Sequence, residues 1–205
     1  MLLRNGDAAG AAAIVDAALE RKIGVGDPFL TYFKMLTDIA GGSYQRVIDG
    51  LNASPLTTFE YQYWWYPKSL YLAELDGYLR RPEAARAMYR AACDSLEAAI
   101  RLHPDDARLH GALGIAYAGL GKNDEAIRQG KKGVELMPIS VDAAIGPVRV
   151  QELAQIYAMT GDQEKAIDLL TQILSIPSYL SPALLRVDPV WTPLRGNPRF
   201  QKLTQ

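Results

Sequence analysis

Two histidines lie close together near a turn expected between two helices, and they are the only histidines in the chain. His103 and His110 flank Pro104, Asp105 and Asp106, so imidazole and carboxylate groups could bind a metal ion there. A zinc site, however, needs three or four converging ligands, and no cysteine or third histidine lies nearby. A histidine at a helix end is favoured by the helix dipole, and an aspartate can cap the next helix. We therefore expect structural roles here and no metal site.

Other groups that could support catalysis also have structural explanations. Cys93 lies within an expected helix without a histidine at a fixed spacing, which argues against a catalytic thiol. The segment Gly24–Gly26 lacks the lysine and the following helix of a phosphate-binding loop. Arg128, Lys131 and Lys132 fall on the solvent side of an expected helix. Because no nucleophile, base and orienting group can be assembled, the sequence predicts a protein that is not an enzyme, with no catalytic residues and no cofactor.

Composition and charge limit the classes of partner and the cellular compartment that we expect for this chain. The formal net charge is −1 and the isoelectric point is about 6.1, which gives no electrostatic signature for nucleic acid or an anionic membrane. No apolar run reaches the ~20 residues of a membrane span. Asp7 and Asp16 interrupt the apolar start, so we expect no signal peptide. We expect a cytoplasmic protein, or alternatively the soluble part of a membrane-anchored one.

The aromatic run between residues 59 and 71 is the strongest sign of a binding surface. Interpreted as a helix, it places rings on every side, more than one buried stripe can accommodate. Tyrosine and tryptophan are enriched at binding hot spots, so we expect Tyr61, Trp64, Trp65 and Tyr71 to be exposed in part. Two alternatives stay open: a wide helical joint buries the rings from two sides, or the aromatic helix forms a homodimer contact.

Five turns with a common spacing position these groups. In each, a turn residue is followed five positions later by the first apolar residue of a helix: Gly6–Ala11, Gly42–Val47, Arg80–Ala85, Gly121–Ala126 and Gly161–Ala166. Self-similarity at a period of about 34–41 residues indicates a helical repeat array. Gly130 and Gly133 lie inside an expected helix, where each costs about 1 kcal/mol relative to alanine. We interpret them as the site of a close contact between helices.

Two stretches of this array resemble the tetratricopeptide repeat. The residues that carry the resemblance in the first stretch are Leu113, Gly114, Tyr117, Gly121, Ala126 and Pro138, and their counterparts are Leu153, Ala154, Tyr157, Gly161, Ala166 and Pro177. The resemblance implies an all-α, right-handed solenoid of antiparallel helix pairs. We expect the repeat array over 1–178, without a sheet, and with helical hairpins at about 1–22, 28–52, 59–103, 105–137 and 147–175.

The C-terminal residues carry a second, narrower resemblance. Residues 181–203 are similar to the ending of a bacterial tetratricopeptide group whose members often lie C-terminal to winged-helix regulators, nucleotide cyclases or serine/threonine kinases. Apolar side chains in this stretch can cover the open face of the last helical hairpin: Leu184, Leu185, Val187, Val190, Trp191, Leu194, Phe200 and Leu203. We therefore expect a C-terminal cap over 179–205.

These observations favour a non-catalytic interaction scaffold that binds a protein or peptide on its concave face. In the repeat frame, Ile115, Gln151 and Gln155 face the groove beside the aromatic residues. They differ from the basic and asparagine side chains with which the family clamps a C-terminal carboxylate, which favours an extended, apolar or neutral peptide. The second resemblance implies an alternative function, a regulatory or sensor module of a larger bacterial signalling or transcription protein.

Overall fold

The computed structural model describes residues 2–21 and 28–205. The α-helices of this part of the chain are α1 (Ala8–Glu20), α2 (Pro28–Ala40), α3 (Tyr44–Ala53), α4 (Lys68–Tyr78), α5 (Pro82–Leu102), α6 (Ala107–Gly119), α7 (Asn123–Leu136), α8 (Gly146–Thr160), α9 (Gln163–Leu174), α10 (Pro182–Val187) and α11 (Pro198–Leu203). Strands β1 (Thr58–Glu60) and β2 (Trp65–Pro67) form an antiparallel hairpin, and 3-10 helices cover Leu3–Asn5 and Pro189–Leu194. Positions 1 and 22 of the first expected helical hairpin and the segment Gly24–Gly26 lie outside the described residues.

Each expected turn contains a residue in the left-handed conformation. Gly6, Gly42, Gly121 and Gly161 have φ angles of 81°, 75°, 77° and 90°, and Arg80 has a φ of 57°. Glycine adopts this conformation at no steric cost, whereas a residue with a Cβ loses roughly 1–2 kcal/mol there. The spacing of the turns in the sequence is therefore confirmed, including the turn that has arginine in place of glycine.

Helices on either side of these turns pack together and stack into an all-α solenoid, as the sequence predicts. Helix α4 packs on α5, α6 on α7, and α8 on α9. Helix α6 also contacts α4 and α8. The first helices of the pairs, α4, α6 and α8, therefore form an inner layer, and α5, α7 and α9 form the outer layer. We call the surface that α4, α6 and α8 share the inner groove.

Glycines allow the outer helix α7 to approach its neighbours closely. A Cβ on Gly133 would lie 3.1 Å from the carbonyl oxygen of Ala107 on α6. A Cβ on Gly130 would lie 2.9 Å from Leu153 Cδ1 on α8. Both distances are shorter than ordinary packing contacts, so a larger residue at either position would push a neighbouring helix or side chain away. The close helix contact expected from these two glycines is confirmed.

Most of the aromatic run is a β-hairpin, and only its last residues lie in α4, so the expectations of an aromatic helix throughout and of a fold without strands are wrong. In this hairpin Phe59 pairs with Tyr66 and Glu60 with Trp65, and α4 begins only after Pro67. Aromatic residues and threonine favour strands, and an extended chain also places its rings on two faces. Pro67 pairs with Thr58 in an extended conformation, with φ −64° and ψ 148°, and directly precedes the first residue of α4. We call residues 58–67 the aromatic hairpin.

The C-terminal segment packs on the last helical pair, as expected for a cap. Leu185, Trp191, Leu194 and Phe200 are buried in one cluster with apolar residues of α8 and α9. Trp191 has no exposed surface. The cap also meets the other end of the solenoid, because the Ser181 hydroxyl donates to the Arg4 carbonyl oxygen. Among the described residues, no helix combines the length and the apolar character needed to cross a bilayer.

Candidate functional site

The aromatic hairpin lies in the inner groove and is bonded to α8. The Tyr66 hydroxyl donates to Glu152 Oε1 at 3.1 Å, and the Arg149 guanidinium donates to the Tyr63 carbonyl oxygen. Arg149 and Glu152 are three positions apart on α8 and form an ion pair at 3.1 Å. The hydrogen bonds join residues 86 positions apart in the sequence. These bonds hold the hairpin against the inner side of α8. Without the hairpin, this side of α8 would be open.

A second arginine holds the hairpin tip to the start of α6. Arg108 donates to the Tyr61 carbonyl oxygen at 2.8 Å and pairs with Glu60 at 3.2 Å. Its other carboxylate partner is Asp106, at 2.7 Å. Asp106 in turn caps α6 by accepting from the Arg108 amide at 2.9 Å. Both arginines thus bind main-chain carbonyls of the hairpin. Such contacts fix the position of the hairpin and do not depend on the identity of its side chains.

The ion pair on α8 is buried, and its hydrogen bonding is incomplete. The side chains of Arg149 and Glu152 are 0% and 4% exposed. Within the described residues, Nε and Nη1 of Arg149 and Oε2 of Glu152 have no hydrogen-bond partner. Burial raises the pKa of Glu152 to about 7, although the charge of Arg149 and the bond from Tyr66 act to lower it. A Cβ on Gly111 of α6 would lie 1.8 Å from Glu152 Oε2, so a side chain there would displace the carboxylate.

Further along the groove, α8 is bonded to α4 and to the segment before α10. Gln155 donates to Glu74 Oε1 at 2.6 Å. Burial raises the pKa of Glu74 to about 7; the bond from Gln155 lowers it and the charge of Asp188 raises it. Gln151 accepts from the Tyr179 hydroxyl. The two glutamines that the sequence assigns to the groove are therefore bonded within the chain.

Aromatic side chains from α2 and from the hairpin tip form a continuous surface. The rings of Tyr32 and Trp64 stack with centroids 4.1 Å apart, and Trp64 lies 5.6 Å from Tyr61 and 5.8 Å from Tyr63. Phe33 meets Tyr32 edge to face at 6.0 Å. Phe33 and Tyr61 are 36% and 42% exposed, and the other three residues are half-buried. We call these five residues the aromatic face.

The residues that the sequence assigns to partner binding divide into two groups. Tyr61 is exposed, and Trp64 and Trp65 are half-buried, Trp65 against the apolar core. Tyr71 and Ile115 are 7% and 0% exposed, so the expectation that they face a partner is wrong. The reason is physical: the repeat frame assumes an open groove, whereas the hairpin covers it and buries the inner side of α4 and α6.

Several residues of the site are absent from the sequence prediction. They are Tyr32, Tyr63, Tyr66, Glu74, Arg108, Arg149, Glu152 and Tyr179. Arg149 and Glu152 carry a usable signal, because they lie three positions apart in a helix that has no other charged residue. Such a pair inside a buried helix indicates a buried ion pair. The partners of that pair in the hairpin are far away in sequence and have no comparable signal.

The other candidate groups have structural roles. His103 ends α5 at the surface, whereas His110 is buried with its ring nitrogens 2.7 Å from the Pro104 carbonyl oxygen and 2.6 Å from Gln129 Oε1. Across the part of the chain that the structure describes, histidine, cysteine and acidic residues form no group that could hold a metal ion. Burial raises the pKa of the Cys93 thiol to about 11, which leaves little reactive thiolate at neutral pH.

The basic cluster lies on the outer layer, away from the aromatic hairpin. Arg128 and Lys131 are exposed, and Lys132 pairs with Glu135 at 3.1 Å. Together they border an open depression of about 630 Å³. Acidic and basic groups alternate along this surface, which suits a solvated helix exterior.

Comparisons with known proteins address the fold. Residues 71–136 match the family model described as tetratricopeptide repeat. No curated protein matches the chain. The crystal structure of a thermophilic TPR protein from Thermus thermophilus is similar with a TM-score of 0.57 and 21% identity, over 98% of this chain and 93% of that chain. MamA (residues 41 to the end) from Desulfovibrio magneticus is similar with a TM-score of 0.36 and 20% identity, over 85% and 88% of the two chains. At these identities, the likeness to the Thermus protein concerns the fold alone.

Proposed function

We propose that this chain, a tetratricopeptide-repeat protein, is a non-catalytic interaction module that binds a protein or peptide through the aromatic face. Tetratricopeptide repeats generally mediate contacts between proteins. Here the inner side of α8, which the sequence would assign to the partner, is bonded to the chain's own hairpin, Glu74 and Tyr179. The binding surface is therefore expected on the outer side of the hairpin tip.

The observation that supports this proposal most is the stack of Tyr32 on Trp64 at the surface, with Tyr61 and Tyr63 beside it. Tyrosine and tryptophan lose little rotamer freedom on binding and supply a large contact area. The positions of the hairpin rings are fixed before binding by Arg108 and Arg149, which donate to carbonyl oxygens of the hairpin. A rigid aromatic surface binds with a lower entropic cost than a mobile loop.

The proposal is tested with one variant and one matched control. Partners captured by the wild-type chain from an extract of its source cells are identified and purified, and their affinity is measured. Trp64→Ala should weaken binding by roughly 30-fold or more, as expected for a hot-spot residue. Leu102→Ala removes another large apolar side chain, 76% exposed at the end of α5, and should leave the affinity unchanged.

Circular dichroism provides the control for folding, since helical content should be equal in both variants. If Trp64→Ala binds the purified partner as tightly as the wild type does, the aromatic face is not the binding surface. If the partner is a second copy of the chain, sedimentation should show a dimer that depends on concentration and that Trp64→Ala dissociates. That outcome identifies the partner and leaves the surface the same.

A further inference from the structure

The two ends of the solenoid are joined by a direct contact. The Ser181 hydroxyl donates to the carbonyl oxygen of Arg4, and these residues lie 177 positions apart in the sequence. Beside this bond, a Cβ on Gly6 would lie 3.2 Å from the Cβ of Ala183, so the two segments pack closely. We call this contact between residues 4–6 and 181–183 the end clasp. It joins the first 3-10 helix to α10, whereas the repeats of a solenoid contact only their neighbours.

The end clasp is small compared with the contacts inside the repeats. Arg4 is exposed, and Gly6, Ser181 and Ala183 are half-buried. No described residue of the 3-10 helix Leu3–Asn5 is buried, whereas α6 and α8 bury most of their residues. Regions with little buried surface open at a low cost in free energy while the rest of a protein stays folded. The end clasp is therefore a contact that can open by itself.

Helix α1 connects the end clasp to α2. Among the described residues of α1, Val15 alone is buried, so packing holds this helix weakly. Asp16 forms an ion pair with Lys34 of α2 at 2.9 Å. The Lys34 ammonium also binds Asp38 at 2.7 Å, which fixes the lysine against its own helix. With so little burial, the position of α1 depends on the end clasp, which holds the chain just before the helix begins.

Helix α2 connects α1 to the aromatic face. Tyr32 lies two positions before Lys34 and stacks on Trp64 with ring centroids 4.1 Å apart. Met35, in the middle of α2, is buried in one cluster with Phe59 at the base of the aromatic hairpin. A shift of α1 would therefore turn α2 about Met35 and change how the Tyr32 ring meets Trp64. Aromatic pairs have a specific geometry, so the stack is sensitive to such a turn.

We propose that the end clasp controls the aromatic face: the closed clasp holds Tyr32 on Trp64, and opening it lets α1 and α2 shift and loosens the stack. The consequence for binding rests on the proposed function, in which the assembled stack is the surface that the partner contacts. A partner that needs the stack also stabilises the closed clasp, because coupling between two sites acts equally in both directions.

A substitution of Ser181 opens the clasp and keeps the N-terminal cap of α10. The Ser181 oxygen also accepts a hydrogen bond from the Leu184 amide at 3.1 Å. Aspartate accepts such a bond equally well, but at neutral pH it has no hydrogen to donate to the Arg4 carbonyl oxygen. Ser181→Asp should therefore open the clasp. Ser181→Thr retains both the donor and the acceptor, so it is the matched control.

Fluorine NMR of the chain labelled with 5-fluorotryptophan observes the stack without a partner. The chain has three tryptophans, and Trp64→Phe identifies the signal of Trp64. Tyr32→Ala gives the reference position of that signal when no tyrosine ring is stacked on Trp64. We expect Ser181→Asp to move the Trp64 signal toward this reference and Ser181→Thr to leave it at the wild-type position.

A covalent link at the clasp gives a second measurement. Gly6→Cys combined with Ala183→Cys puts two sulfurs where the Cβ separation of 3.2 Å is close to the ~3.5–4.5 Å found in disulfides. Oxidation at low protein concentration should form this disulfide within one chain. In the Ser181→Asp background it should return the Trp64 signal toward the wild-type position, and the reduced form of the same variant is the control. Burial raises the pKa of the Cys93 thiol to about 11, so this thiol reacts slowly.

Two results overturn the inference. The first is a Trp64 signal that stays at the wild-type position in Ser181→Asp, which would mean that the clasp and the stack are not coupled. The second is a disulfide that forms only between chains or not at all, which would mean that the two ends do not meet. Neither measurement needs a partner, so the effect of Trp64→Ala on the purified partner decides the proposed function separately.

Circular dichroism identifies a variant that fails to fold. If Ser181→Asp loses helical content, Ala183→Gln takes its place, because the longer side chain would displace Gly6 from the clasp. Its control is Ala87→Gln at an exposed position of α5. A Trp64 signal that is the same in Ala183→Gln, Ala87→Gln and the wild type contradicts the proposal in the same way.

Discussion

The repeating helices α6 to α9 and the non-repeating segments of the chain contribute in different ways to the shape of the protein and to its binding surface. In the repeats, small residues such as Gly114, Gly130 and Ala154 lie where helices touch, and polar residues lie outside. In the aromatic hairpin and the cap, large rings and arginines fill spaces that the repeats leave open. Repeats therefore set the shape of the solenoid, and the non-repeating segments decide which surface remains for a partner.

The largest loss of stability is expected from a substitution in the cap. Trp191 is fully buried against α8 and α9, so Trp191→Ala should lower the free energy of unfolding by about 3–5 kcal/mol. Urea denaturation followed by circular dichroism measures this change. Leu102→Ala, at an exposed site, should alter the stability by less than ~0.5 kcal/mol. An unchanged midpoint for Trp191→Ala would mean that the C-terminal segment does not stabilise the last repeat.

A smaller loss of stability is expected from a substitution inside the repeats. A Cβ on Gly114 would lie 2.9 Å from the Ala126 carbonyl oxygen, so Gly114→Ala should destabilise the protein by about 1–3 kcal/mol. The matched control is Gly77→Ala on α4, where a Cβ would meet nothing within 4 Å. Because alanine favours helices, this second change should stabilise by up to ~1 kcal/mol. Equal effects of the two substitutions would show that the close approach of α6 and α7 does not limit the packing.

A third effect depends on pH and concerns the contact between α4 and α8. The pKa of Glu74 is raised to about 7 in the folded state, above its usual value of 4.5. Its contribution to stability is therefore fully present below pH ~4.5 and is lost as the pH rises through ~7. Glu74→Gln, which stays neutral, should become progressively more stable relative to the wild type between these values.

Urea denaturation at several pH values measures this trend. Asp94→Asn, which alters an exposed carboxylate on α5, serves as the control and should stay at a constant difference from the wild type. A constant difference for Glu74→Gln as well would mean that Glu74 is solvated in the folded protein and that the groove is open at this point.

Much of the repeat architecture can be predicted from the sequence, because its signals are local. The five turn residues stand five positions before an apolar residue, and each adopts a left-handed conformation. Gly130 and Gly133 likewise indicate a close contact without knowledge of the partner helix. The apolar residues of the C-terminal segment predict its packing on the last repeat.

The aromatic hairpin could not be placed from the sequence, for two reasons. Its rings occur at almost every position, so the period of a strand and that of a helix fit equally well, and Pro67 is compatible with both. Its contacts with α8 join residues 86 positions apart, and no local pattern connects Tyr66 to Glu152. The regulatory function that the second resemblance implies stays a prediction, which the gene's neighbours would address.

The hydrogen bond between Tyr66 and Glu152 offers the most direct test that the aromatic hairpin occupies the inner groove. A double-mutant cycle compares the wild type, Tyr66→Phe, Glu152→Gln and the double variant in urea denaturation at pH ~8, above the Glu152 pKa of about 7. Because the bond joins a hydroxyl to a charged acceptor, we expect a coupling energy of about 1–2 kcal/mol. A coupling energy below ~0.3 kcal/mol would contradict the contact, and would mean that the inner side of α8 is open to a partner.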